Sequence, residues 1–292
     1  MGAVAPKPRT GGWPPRPVRF LAAGAAALLL TALLVVVNFP YERVRGRIEQ
    51  ILSARLGAPV ELGGVEGRLT PFGPAVLLRD VRTRTRGGSR VELSEVRLRP
   101  AWSLAWLRGV PALHLRASSP MGRARGVLRV ESEPGFRGEI RDLRLEALAT
   151  FGGALAELPL DGIADLEGNV RATADGPEGR VRIAARDGSI GVPGIPVALP
   201  FRSLEGVVRL GGDRLLEIAD ALAFDGPMLS GTVTGSVGRA PRLEQARLDL
   251  RAELRLREPG LAPALSAAGI RLDREGRGSV RITGTPARVG IR

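Results

Sequence analysis

The sequence contains no cysteine, and histidine and lysine occur once each, as His114 and Lys7. Without cysteine there are no disulfides and no thiolate metal sites. With a single histidine, the usual nucleophile–base triads and zinc sites cannot be assembled. No dinucleotide-binding glycine fingerprint and no phosphate-binding loop occurs. Aromatic residues make up only 4% of the chain, and no nucleic-acid-binding motif is present. Carboxylates could still pair, yet four of the eleven aspartates fall in Asp-Gly steps, at 161, 175, 187 and 225, where turn geometry accounts for them. The expectation is a protein that is not an enzyme, carries no metal or cofactor and binds no nucleic acid. His114 alternates within Leu113–Arg116 and reads as an ordinary sheet-face side chain.

Long apolar runs are also absent, with one exception. Phe20 to Val37 is eighteen consecutive residues without a charge, and Thr31 is its only polar side chain. As a helix it would cover roughly 27 Å, close to the ~30 Å hydrocarbon core of a bilayer. Phe20, Leu28, Leu34 and Val37 mark this candidate span, and the lipid bilayer is its partner. A cleaved signal peptide is the competing reading. The run exceeds the roughly 7–15 apolar residues of a signal peptide, and Val37-Asn38-Phe39-Pro40 is no small-x-small cleavage site, so an uncleaved anchor is expected. Four basic residues precede the run and four (Arg43, Arg45, Arg47, Arg55) follow it, so the positive-inside rule alone is a tie. Long domains translocate largely regardless of charge, which favours a cytoplasmic tail. The expected location is the cell inner membrane, single-pass, with the bulk of the chain periplasmic in a Gram-negative bacterium.

The formal charge is +13. Nearly all of the basic charge is arginine, which a GC-rich genome explains as well as function does. A basic surface still favours anionic surfaces such as phospholipid head groups. Four regions are expected: a disordered cytoplasmic tail (1–19), the span (20–38), a juxtamembrane amphipathic helix (39–58) and a periplasmic β domain (59–292). In the third, Tyr41, Val44, Ile48, Ile51, Leu52 and Leu56 recur at helical spacing, with Arg43, Arg45, Arg47 and Glu49 mostly elsewhere on the wheel. That helix can pack on its own domain or lie in the membrane interface.

From Val60 the period becomes two, as in Val91–Arg99, Leu248–Arg257 and Val280–Thr283. Turn signals intervene, among them Gly87-Gly88, Asp175–Pro177, Asp187-Gly188, Gly211-Gly212 and Asp225–Pro227. No helix-length crossovers separate the strands. The fold class is therefore mainly β: a curled antiparallel meander with one or two short helices, one of them over Leu261–Ile270. Leu145–Leu158 reads either as a helix broken at Gly152-Gly153 or as a strand running into a loop. Glycine is expected to open strands at 126, 168, 206, 231 and 278. The apolar side of the meander is either a filled core or a groove for lipid or a partner strand. Trp102 and Trp106, four apart, are either core plugs or membrane-interface anchors.

Several stretches resemble known proteins. Phe39-Pro-Tyr-Glu-Arg-Val44, Gly57-Ala-Pro-Val60 and Gly73–Val81 resemble the start of the periplasmic region in the type II secretion system protein N family. Val96–Gly109 with Leu113–Leu115 resembles the strand, short helix and strand pattern of AsmA-like periplasmic proteins. Phe224–Gly235 and Ile282–Pro286 are similar to the closing strands of both. The resemblance implies a non-catalytic, inner-membrane-anchored periplasmic subunit. It would be either an accessory of the secretion machine, with other envelope secretion-system subunits as partners, or a module binding or transferring phospholipid in outer-membrane biogenesis.

Overall fold

The computed structural model describes residues 41–56, 58–71, 73–84, 90–103, 109–130, 133–151, 159–191, 198–240, 245–286 and 288–291. The candidate span 20–37, Trp106, Gly87-Gly88 and 152–158 lie outside these residues. Helix α1 (Tyr41–Leu56) leads into a short β1 (Val60–Glu61), β2 (Gly64–Thr70), β3 (Gly73–Arg84) and β4 (Arg90–Pro100). Then come β5 (Ala112–Ser119), β6 (Gly122–Arg129) and β7 (Gly135–Arg144), followed by a 3-10 segment at Leu145–Phe151. Strands β8 (Leu160–Thr173), β9 (Gly176–Ile190), β10 (Leu199–Gly211), β11 (Arg214–Asp225), β12 (Leu229–Gly238) and β13 (Leu248–Leu256) continue the chain. A short helix α2 (Ala262–Ala267), β14 (Arg277–Thr285) and β15 (Arg288–Ile291) complete it. No helix among the described residues is long and apolar enough to cross a membrane.

The strands form one antiparallel meander, each paired with its sequence neighbour from β3 to β15. Strands β1 and β2 lie end to end along the outer side of β3, and the sheet is not closed. The alternating sequence sorts into two faces. One cross-strand row runs Leu98, Leu115, Gly126, Gly138, Gly168, Val181, Val208, Ile218. One residue away, the row on the opposite face runs Arg97, Arg116, Arg125, Glu139, Glu167, Arg182, Val207, Asp220. No polar side chain is buried among the described residues.

There is no single core. Val60, Leu62, Val65, Leu78, Val81 and Val96 form one buried cluster under Tyr41, Ile48 and Leu52 of α1. A second, Leu145, Ala164, Ala185 and Phe201, lies beneath the 3-10 segment. The third gathers Leu229, Leu254, Leu261, Leu265, Ile270 and Val280 around α2. Strands β5, β6 and β7 supply no fully buried side chain. Aromatic rings press against glycines both within these clusters and between them. A methyl group on Gly126 would stand 2.7 Å from the Phe136 ring, and one on Gly231 would stand 3.0 Å from Phe224. Tyr41 over Gly67, Trp102 over Gly73 and Phe201 over Gly188 repeat the arrangement. Each ring covers an otherwise bare stretch of backbone, a pairing that offsets the weakness of glycine in strands.

These contacts correct two readings of the sequence. Gly126, Gly168 and Gly206 do not open strands; they sit inside β6, β8 and β10, where neighbouring strands or rings approach too closely for a side chain, whereas Gly231 and Gly278 lie third and second in β12 and β14. Asp161-Gly162 and Asp187-Gly188 are not turns either. They face each other across β8 and β9 at a register shift, with Asp187 at φ 48°. Asp80 and Asp142 adopt the same left-handed conformation, at φ 48° and 54°. All three follow an arginine, and the Asp142 step coincides with a shift between Ile140 and Leu143. Asp tolerates this conformation better than most side chains, and bulges of this kind bend and twist a sheet. Leu145–Phe151 is a 3-10 segment rather than a strand, whereas 261–270 carries the expected short helix.

Helix α1 lies along the sheet edge, and its polar residues matter as much as its apolar ones. Glu42 accepts from the Val65 N–H at 3.4 Å, Glu49 from the Leu62 N–H at 2.9 Å, and the Ser53 hydroxyl from the Val60 N–H at 2.9 Å. Arg45 donates to the Gly63 carbonyl and pairs with Glu49. Positions 42, 45, 49 and 53 form one helical stripe, and that stripe satisfies the edge that β1 and β2 would otherwise expose. Ile51, expected on the apolar face, is 54% exposed.

Two outcomes follow, both read by urea unfolding of the full chain in detergent. Truncation by Phe136→Ala should cost roughly 3 kcal/mol, the low end for a phenylalanine because the ring is only half-buried. Gly126→Ala should cost about 1–3 kcal/mol by overpacking, and less in the Phe136→Ala background; additive effects would show that the ring does not use the glycine's space. Separately, Glu49→Ala should cost about 1–3 kcal/mol by orphaning the buried Leu62 N–H. That N–H, helped by Arg45, holds the Glu49 carboxyl below its ordinary value. Its contribution is therefore complete above the carboxylate range and lost as pH falls through the lowered value. Wild-type stability should fall more steeply in acid than that of Glu49→Ala.

Candidate functional site

The charged face is hollowed between β4 and β11 into an open trough of 1120 Å³. Strands β5 to β9 contribute side chains two apart, and β4, β10 and β11 one residue each, so the trough floor is a grid of cross-strand pairs. Six arginines and three carboxylates line it. Arg125 pairs with Glu139, and Arg180 lies 3.2 Å from Asp220. Arg116, Arg137 and Arg182 have no ion-pair partner among the described residues. Arginine presents a planar fork suited to carboxylate and phosphate oxygens, so the trough favours anionic groups.

His114 sits in this trough on β5. Arg99 lies directly opposite on β4, and Arg116 is two residues along. Partial burial, with Arg99 and Arg116 adding repulsion, pushes the imidazole below its ordinary value of 6.5. His114 is thus a neutral group among cations, on a sheet face as its alternation implied.

An ionic clamp stands beside the trough at the β7 bulge. The Arg186 guanidinium reaches Asp165 at 2.8 Å and Asp142 at 3.2 Å. The Asp142 N–H donates to Asp165 at 2.9 Å, and Arg123 binds Asp142 from the other side. That backbone N–H and Arg186 together hold the Asp165 carboxyl below its ordinary value. Glu139 is similarly bracketed by Arg125 and Arg141. The clamp ties four strands, β6 to β9, together where the ladder is interrupted. Among the described residues no three metal-ligating side chains gather.

Of the residues singled out in sequence, His114 enters the trough and Trp102 does not. Trp102 follows the end of β4 with its indole beside Gly73, and is 61% exposed. Phe20, Leu28, Leu34, Val37 and Trp106 lie outside the described residues. Sequence reading missed the unpaired arginines and the clamp. A usable signal existed for the clamp: Arg79-Asp80, Arg141-Asp142 and Arg186-Asp187 repeat one dipeptide at strand positions. Comparison with family models, curated proteins and solved structures finds no match.

The lowered His114 value gives a pH prediction. The unfolded chain takes up a proton near 6.5 while the folded chain resists it, so stability should drop as pH falls from about 6.5 to the lowered value. His114→Gln should flatten that part of the stability–pH curve. An unchanged slope in the variant would show that folding does not lower the His114 value.

Proposed function

We propose that the protein is a non-catalytic accessory or assembly subunit of a type II protein secretion system, anchored in the inner membrane by Phe20–Val37. The observation that supports this is the sheet itself, an open antiparallel meander whose faces are continuous surfaces rather than walls of an enclosed cleft. Such surfaces suit lasting contact with other envelope subunits. The stretches that resemble the secretion family form β3, the β11–β12 hairpin and part of β14. Deleting the gene in a host that carries it should reduce export of a secreted hydrolase while leaving its synthesis intact. Unchanged export would defeat the assignment.

A second reading, an AsmA-like lipid-binding or lipid-transfer module in outer-membrane biogenesis, has its own support. Leu113, Leu115, Leu128, Phe136 and Ile140 lie half-buried on one face of β5–β7, where no side chain is fully buried. A curl of the sheet about these strands would make a cradle for acyl chains. Native mass spectrometry of the full chain, extracted from membranes and then exchanged through detergent, would show retained phospholipid under this reading and only lipid that exchanges away under the first.

A further inference from the structure

Because every strand reverses direction, the connections alternate between two ends of the sheet. The end that holds the β2–β3 turn also holds the β4–β5 and β6–β7 connections. Among the described residues five large apolar side chains remain exposed. Three of them sit at these successive connections: Leu69 (53% exposed) at the end of β2, Trp102 (61%) after β4 and Val130 (45%) after β6. At about 4.8 Å per strand they spread over roughly 20 Å of one rim. Ile51 and Ile163, the other two, lie away from it.

Helix α1 points its N-terminus toward this rim. Ser53 reaches Val60 in β1, whereas the Tyr41 ring lies on Gly67, midway along β2 and three residues, about 10 Å, short of Thr70. In the sequence only Asn38, Phe39 and Pro40 separate Val37 from Tyr41. Three residues reach about 10 Å when extended. A span over Phe20–Val37 therefore delivers the chain to the bilayer surface beside the rim that carries Leu69, Trp102 and Val130. Arg68 and Arg129, next to two of these side chains, are exposed there and suit anionic head groups. Tryptophan favours this amphipathic boundary.

We propose that this rim seats in the head-group interface of the bilayer that the anchor crosses, with Leu69, Trp102 and Val130 inserted and Arg68 and Arg129 at the phosphates. The proposal rests on the reading of Phe20–Val37 as a membrane span, and its test separates the two. Because the chain has no cysteine, Leu69→Cys, Trp102→Cys, Val130→Cys and, at the opposite end, Pro120→Cys each provide a single site for an environment-sensitive fluorophore. The full-length variants would be reconstituted into phosphatidylethanolamine–phosphatidylglycerol vesicles containing lipids brominated on the acyl chains. Labels at 69, 102 and 130 should be quenched strongly and the label at 120 weakly. Equal, weak quenching at all four sites would overturn the proposal. So would labels at 69, 102 and 130 that are shielded from an aqueous quencher yet untouched by bromine, which would mean that a protein covers the rim. Alkaline carbonate extraction of the same vesicles reads the span independently. Retention without quenching leaves the span standing and removes the interface; release removes both.

Discussion

A sheet one layer thick must shield its apolar face without a second layer, and most of this molecule follows from that constraint. Hydrophobic burial is supplied locally, by α1 at one edge, the 3-10 segment in the middle and α2 near the other edge. Rings set against glycine add to this shielding. Phe136 on Gly126 lies between the patches, where no helix faces the sheet, while Phe201 on Gly188 and Phe224 on Gly231 lie within or against them. The scarcity of aromatics makes this placement more telling: among the described residues Tyr41, Trp102, Phe136, Phe201 and Phe224 all stand against glycine.

The opposite face solves a different problem. Rows of arginine would repel one another, so carboxylates are interposed: Glu139 between Arg125 and Arg141, and Asp142 and Asp165 around Arg186. These exposed pairs contribute little individually. Their effect is to fix the strands at bulges, where ladder hydrogen bonds are interrupted. Arg116, Arg137 and Arg182, which no carboxylate meets, mark where the face stays open to an anionic group.

Edge protection shows how much an element's polar side can matter. The apolar spacing of Tyr41, Ile48 and Leu52 was legible in the sequence and does pack on the sheet. The roles of Glu42, Glu49 and Ser53 were not, because their acceptors meet donors from strands that begin a few residues later and whose edge is defined only by pairing with β3. Likewise the period-two strands and the turns at 175–177 and 211–212 were legible, since they depend on local alternation and local backbone chemistry. Asp161-Gly162 and Asp187-Gly188 carry the same local chemistry as a turn. What made them paired bulges is the register between β8 and β9, a non-local property.

Composition and periodicity by themselves determined the class of this protein: an antiparallel meander with one apolar and one charged face, behind a single long apolar run. That information is local, carried by side-chain alternation along each strand. Only the tertiary structure decided that Gly126 and Gly138 lie under Phe136, that Arg186 gathers Asp142 and Asp165, and that Leu69, Trp102 and Val130 share the one end of the sheet toward which α1 points its N-terminus. Each of these depends on which residues the hydrogen-bond register sets side by side, and register is a property of strand pairs that no single strand encodes.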